Sequence, residues 1–422
     1  MAIGTLAEGA TWAIAAVATG GVIARPWRLP EAIWAVLGAA SLVLLGLVPW
    51  PDALAAVGRG SDVYLFLAGM MLLAELARQQ GVFDWLAALA TKHARGSASR
   101  LFVLVFAVGT MVTAFLSNDA TAVVLTPAVY AVATAVGAEP LPYLFVCAFI
   151  ANAASFVLPI SNPANLVVFG NHMPPLPSWL AAFALPSLLS IAATYVVLRL
   201  TQRKALRRPI AERVDSPALS RGGRLAAFGI GLAAVALLSA SALDIRLGLP
   251  TFLAGVATAG GVLLDRRQAP WNLMKHISWS VLPLVGGLFV MVEGLARTGV
   301  IERAGRALQL AADGSTAATG WVAGIIVALA CNLMNNLPVG LIAGSAATAA
   351  SAPPQVTGAL LIGVDLGPNL SVTGSLATIL WLVALRRDGQ DVSAWRFLRL
   401  GALVTVPSLL LALSGFVLAH LR

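Results

Sequence analysis

This chain is poor in charge. Lys, Arg, Asp and Glu together make 11% of its 422 residues, where soluble domains carry about a quarter. So few ionic groups could not cover the surface of a large soluble helical protein, and that class is excluded. Cysteine is almost missing too: Cys147 and Cys331 sit in apolar stretches with no disulfide or metal-ligand spacing, and read as small buried apolar residues. The four histidines, His93, His172, His276 and His420, fall in predicted loops or at the C-terminus and form no ligand cluster. No metal and no other cofactor is expected. The chain also lacks a Gly-x-x-x-x-Gly-Lys-Ser/Thr phosphate loop, so any use of ATP has to come from a partner.

What the chain has in abundance is apolar sequence. Hydrophobic residues make 59% of it, in segments near or above the ~20 residues that cross hydrocarbon. It is therefore expected to be an all-α polytopic membrane protein embedded in a lipid bilayer. The first apolar segment has no basic stretch before it and reads as a retained helix. The net charge of +9 has no interleaved aromatic residues, so nucleic acid is not an expected partner.

Residues recur at a fixed distance. Gly69, Glu75, Gly81 and Val82 return as Gly287, Glu293, Gly299 and Val300, each 218 positions later, and the same offset carries Asn118 onto Asn336. A repeat of this length in an apolar chain predicts two related halves around a site near the bilayer midplane. The expected halves are 1–200 and 224–422, joined by a basic linker at 201–223. Six elements are readable in each: 8–25, 30–49, 62–80, 100–136, 142–170 and 178–199, then 224–243, 249–264, 278–297, 318–350, 356–385 and 396–420.

Two elements of each half are unusual. As single helices, 100–136 and 318–350 would far outrun the bilayer. Their middles are polar, at Ser117-Asn118-Asp119 and Asn335-Asn336, which predicts re-entrant hairpins with those residues at the tips. Segments 142–170 and 356–385 are interrupted by Asn152, Pro159, Asn162-Pro163 and Asn165, and by Asp365, Gly367-Pro368-Asn369 and Thr373-Gly374-Ser375. Proline removes a backbone donor and glycine frees the dihedrals, so both are predicted to be discontinuous helices.

Counting the hairpins as no net crossing leaves five crossings per half, about ten transmembrane helices in all, and makes the repeats inverted. With 201–223 in the cytoplasm, all but six of the 27 Lys and Arg lie inside; the six are Arg59, Arg246, Arg297, Arg303, Arg306 and Arg422. That is the positive-inside bias, and it predicts both termini outside. Segment 297–317 is read as an external loop that holds three of these arginines.

Ionisable groups at membrane depth are costly and mark function. Glu75 and Glu293 fall near helix ends, beside Arg78 and Arg297, and read as interfacial ion pairs. Asp119 and Asp365 have no basic neighbour in sequence and are the candidate proton-coupling residues; both positions also suit a helix cap. Ser117, Asn118, Asn152, Asn165, Asn336, Asn369 and Thr373 are the candidate substrate-binding residues, with Asn162 in the same amide-rich set. Amides and hydroxyls donate to and accept from a neutral polyhydroxyl solute. No basic residue occurs at the breaks, so a neutral or cationic substrate is expected over a polyanion.

These motifs resemble a known group. Phe115-Leu-Ser-Asn-Asp-Ala-Thr-Ala-Val-Val-Leu-Thr-Pro127, Leu158-Pro-Ile-Ser-Asn-Pro-Ala-Asn-Leu166, Asn332-Leu-Met-Asn-Asn-Leu-Pro338 and Asp365-Leu-Gly-Pro-Asn-Leu-Ser-Val-Thr-Gly-Ser-Leu-Ala377 are similar to the signatures of arsenite/antimonite efflux permeases of the ArsB type, in the ion transporter superfamily. The resemblance implies a secondary transporter, not an enzyme, in the bacterial inner membrane. It would export arsenite and antimonite as neutral trihydroxides in exchange for protons and confer arsenic resistance. It also implies a scaffold and a mobile transport unit, and allows a separate ArsA-type ATPase subunit as a partner. Association into oligomers stays open. The superfamily's sodium-coupled carboxylate carriers have a Ser-Asn-Thr hairpin tip, from which Asp119 and Leu337 depart. A Na+/H+ antiporter or a sodium-coupled anion transporter on the same fold is the alternative.

Overall fold

The structure, a computed structural model, describes residues 2–212, 218–267, 269–387 and 389–420. Arg213 and Arg422, two of the charges counted for orientation, lie outside the described residues. Among the described residues all regular structure is helical, with one isolated bridge between Ser97 and Pro209.

Ten helices precede the basic linker: α1 (Ala2–Ala24), α2 (Glu31–Leu44), α3 (Trp50–Arg59), α4 (Ser61–Gln79), α5 (Val82–Ala94), α6 (Ala98–Phe115), α7 (Thr126–Ala135), α8 (Leu141–Ala153), α9 (Pro163–Phe169) and α10 (Leu176–Thr201). Ten follow it: α11 (Arg221–Ala242), α12 (Gly248–Arg266), α13 (Trp271–His276), α14 (Val281–Arg297), α15 (Val300–Gly314), α16 (Thr316–Met334), α17 (Asn336–Ala349), α18 (Pro354–Leu366), α19 (Leu376–Arg387) and α20 (Ala394–Ala419). The two sets correspond in order. Both α10 and α20 have 26 residues and an internal proline, and they pack on each other. Thr194 and Ser408 share a buried hydroxyl bond of 3.1 Å between them.

Seven of the described helices are long and apolar enough to cross a membrane alone: α1, α6, α10, α11, α12, α16 and α20. The bent pairs α3–α4 (47°) and α14–α15 (75°) bring the number to nine. The 30–49 span is shorter as a helix than expected, since α2 ends at Leu44 and the chain turns through Gly46 at φ 69°.

The repeated glycines have two uses. Gly69 and Gly287 let helix backbones touch: α4 packs on α12 and α14 on α2. A Cβ at Gly287 would stand 2.7 Å from the Ala35 carbonyl, and one at Gly69 would meet the backbone of Thr251. Gly81 (φ 71°) and Gly299 (φ 74°) are left-handed residues that turn the chain from α4 into α5 and from α14 into α15, a conformation glycine adopts without steric cost.

The external loop expected at 297–317 is instead mostly helix. In α15, Ile301 and Gly305 are buried, while Glu302, Arg303 and Arg306 are exposed. A helix bent 75° from its neighbour with one charged face suits the membrane–water boundary. α3, α5 and α13 likewise occupy segments between the expected spans.

Candidate functional site

The polar middles of the long elements break them as their residues dictate. α6 ends at Phe115, and the chain resumes at Ala120–Leu125 with a π-type turn, a geometry that recurs at functional sites. Ser117 Oγ accepts from Ala120 N at 3.1 Å, and Asn118 Oδ1 accepts from Asp119 N at 2.9 Å. Ser117 and Asn118 are buried and Asp119 is half-buried. Among the described residues no hydrogen bond or ion pair holds the Asp119 carboxylate. At the second tip Asn335 has φ 73°, strained for a residue with a side chain. Its Oδ1 accepts from Leu337 N at 3.4 Å, starting α17.

α8 and α18 are both 13 residues long, and Asn152 and Asp365 are each the next-to-last residue. After α8, Leu158 is extended, Pro159–Ser161 forms a short 3-10 turn, and Asn162 is extended ahead of Pro163, as a residue before proline should be. After α18, Gly367–Leu370 forms the matching 3-10 turn and Ser371 is extended. Glycine seams make room: Gly324 on α16 lies against the Ala359 carbonyl of α18, and Gly401 on α20 against Asn369 and Leu370.

Three hydrogen bonds cross between the halves here. Asn152 Nδ2 donates to Asn369 Oδ1 at 2.9 Å, and Asn162 Nδ2 donates to Asp365 Oδ1 at 2.7 Å. Asn369 Nδ2 in turn reaches Phe149 O at 3.2 Å. Each break is also tied to its neighbouring hairpin limb. Ser161 Oγ donates to Ala114 O at 3.0 Å, and Asn336 N donates to Gly374 O at 2.9 Å. Asn165 spends its amide on Ser155, Leu158 and Pro159 carbonyls within its own break, at 3.0–3.2 Å.

Three buried oxygens at the breaks have no hydrogen-bond partner among the described residues: Asn152 Oδ1, Asn165 Oδ1 and Asp365 Oδ2. All three are acceptors, so what satisfies them must donate hydrogen bonds or carry positive charge. The surroundings carry almost no charge: Asp119 is the only ionic residue in 101–138, and Asp365 the only one in 316–385.

Asn332 is the residue that sequence reading missed. Its Nδ2 donates to Ala328 O (2.8 Å) and Gly367 O (3.0 Å), and its Oδ1 accepts from Ser371 Oγ at 2.7 Å. Thr373 Oγ1 joins the cluster through Ser371 (3.1 Å) and Asn332 O (3.3 Å). Its position in the Asn332-Leu-Met-Asn-Asn motif was a signal, overlooked beside the more central Asn335-Asn336.

The other candidates lie apart. Glu75 accepts from Arg78 at 2.6 and 2.7 Å and from Gln79 at 2.7 Å. Glu293 pairs with Arg59 at 2.6 Å and Arg297 at 3.4 Å, and Arg297 also meets Asp52. Cys147 and Cys331 are buried free thiols on α8 and α16. A cavity of about 400 Å³ lies where α4 and α14 meet α9 and α17. Arg59, Asp62, His172 and Thr348 line it, together with Leu166, the neighbour of Asn165.

Comparison with known proteins places this architecture. Residues 14–364 match the citrate transporter family, CitMHS. An arsenical pump membrane protein of Escherichia coli K12 is 27% identical over 419 residues, spanning 94% of this chain and 95% of that one. An uncharacterised transporter of Mycobacterium tuberculosis is 28% identical over 422 residues, spanning 93% and 96%. Among solved structures, the YdaH transporter of Alcanivorax borkumensis shares the fold with a TM-score of 0.55 at 15% identity, over 92% of this chain and 97% of that one. The MtrF efflux pump of Neisseria gonorrhoeae follows at a TM-score of 0.50 and 13% identity, over 84% and 80%. With a family match across most of its length and a transporter fold throughout, the chain belongs to the citrate transporter (CitMHS) family of membrane transporters, within the ion transporter superfamily that its motifs resemble.

Proposed function

We propose that this transporter exports arsenite and antimonite as neutral trihydroxides in exchange for protons. The observation that carries the reading is the acceptor-rich, cation-free pair of breaks. A trihydroxide offers three O–H donors, and Asn152 Oδ1, Asn165 Oδ1 and Asp365 Oδ2 are three buried acceptors without partners. Citrate or another polyanion would meet a carboxylate there and no Arg or Lys, which opposes binding. Arsenical pump relatives at 27% identity support the same substrate class.

In this reading Asp365 and Asp119 take up and release protons. Ser117, Asn118, Asn152, Asn165, Asn336, Asn369 and Thr373 bind or frame the cargo. The halves 1–200 and 224–422 are inverted repeats around that site. The protein lies in the bacterial inner membrane with the 201–223 linker in the cytoplasm and both termini periplasmic. The cavity beside Arg59 and His172 is then an outward vestibule, and an ArsA-type ATPase can serve as a cytoplasmic partner.

The direct assay is arsenite uptake into everted vesicles under an imposed proton gradient. Uptake that a protonophore leaves unchanged, with no ATPase present, refutes the antiport mechanism. The same unpartnered oxygens favour one second reading, a sodium/proton antiporter, since they would also coordinate a small hard cation. Sodium-dependent dequenching of a pH dye without any arsenite effect distinguishes it.

A further inference from the structure

Asn162 is held at both ends. Its Oδ1 accepts from Ala164 N at 3.0 Å, capping α9, and its Nδ2 donates to Asp365 Oδ1 at 2.7 Å. Both residues are buried, at 2% and 0% exposure. Flipping the amide would set oxygen against carboxylate and NH2 against NH, so these two bonds fix its orientation. The corresponding cap of α19 is a serine: Ser375 Oγ accepts from Thr378 N at 3.1 Å. Capping alone therefore does not call for asparagine. What asparagine adds is the amide that reaches the carboxylate of the other half.

We propose that Asn162 is the positioning residue of Asp365, holding Oδ1 so that Oδ2 alone is free to exchange a proton and meet the cargo. The inference rests on the reading of Asp365 as a coupling group. On protonation, the proton adds to Oδ2, and Oδ1, now a carbonyl oxygen, still accepts from Asn162. On release, Oδ2 returns to an unpartnered acceptor. The titratable or charged side chains on helices packed against α18 are Tyr143 and Cys147 on α8, Cys331 on α16, and Arg396 and Arg399 on α20. Cys331 stands beside Asp365, with its thiol directed to Val364 O at 3.7 Å. Asn162 thus supplies the side-chain hydrogen bond that orients the carboxylate.

Asn162→Ser keeps a capping oxygen and removes the amide donor that reaches Asp365, leaving only a shorter hydroxyl. It is expected to lose proton-driven arsenite uptake into everted vesicles by roughly tenfold or more, the size expected when a charge-assisted hydrogen bond to a working group is removed. Its pH profile should also move, while the purified variant still folds, with a lowered unfolding midpoint from the lost buried bond. The exchanged double variant Asn162→Asp/Asp365→Asn restores a donor–carboxylate pair and should transport well above Asp365→Asn alone. Wild-type uptake with an unchanged pH profile in Asn162→Ser, alongside a dead Asp365→Asn, overturns the positioning role only. Full proton-driven uptake in Asp365→Asn overturns the reading beneath it.

Discussion

Gly374→Ala tests how tightly the second break must be built. Gly374 is buried in the segment between Ser371 and α19, and its carbonyl accepts from Asn336 N at 2.9 Å. A Cβ there would stand 2.5 Å from Pro368 Cα and 3.0 Å from both Pro368 O and Asn332 Oδ1. Carbon atoms rest at about 3.5–4.0 Å, so the segment has to shift by about 1 Å. Overpacking of this kind costs about 1–3 kcal/mol, and the strained Asn336–Gly374 bond adds about 1 kcal/mol. Transport should suffer more, because a misplacement of about 1 Å can cost on the order of 100-fold in rate. Gly260→Ala is the control. It lies inside α12 with nothing within 4 Å of an added Cβ, and should gain up to about 1 kcal/mol from helix propensity. Thermal unfolding of both purified variants, with vesicle uptake in parallel, reads the difference. If Gly374→Ala matches Gly260→Ala in both, the close packing at the break has no energetic meaning.

Other substitutions separate site from scaffold. Cys147→Ser and Cys331→Ser, singly and together, should leave arsenite export per expressed molecule largely intact, because the cargo has to leave each cycle and two thiols in separate helices form no thiolate set. Loss of export from a folded double variant would move the binding site to sulfur. Trp381→Phe removes the indole donor to Leu144 O at 3.0 Å and should cost about 1 kcal/mol of stability, seen as a lower unfolding midpoint with uptake retained. Glu293→Gln should change stability by less than about 1 kcal/mol, since its partner Arg59 is 55% exposed and solvent screens such pairs. A large loss of proton coupling in this variant would return Glu293 to the candidate list.

The breaks were legible because Asn, Asp and Pro are expensive inside apolar sequence, so Asn152, Asn162-Pro163, Asp365 and Pro368 stood out against their surroundings. The glycines at 69, 81, 287 and 299 could be seen to repeat, but their two different uses could not. One pair lets helices touch, the other turns the chain, and only coordinates tell these apart. The bridges Asn152–Asn369 and Asn162–Asp365 were hidden for another reason. They join residues of opposite halves, and the stretch from hairpin tip to broken helix is shorter in the second half, 336–354 against 118–141, which shifts the repeat register before it reaches Asp365. α5 and α15 escaped because a search for long apolar runs passes over short helices with one charged face.

The central claim is proton-driven movement of a neutral arsenical through a site that Asp365 serves. The most direct measurement is arsenite uptake into everted vesicles, with and without a protonophore, for the parent and for Asp365→Asn at matched expression. Uptake that collapses with the protonophore in the parent and is lost in Asp365→Asn is the expected result. Parent uptake that survives the protonophore, or uptake in Asp365→Asn equal to the parent and still driven by protons, would contradict it.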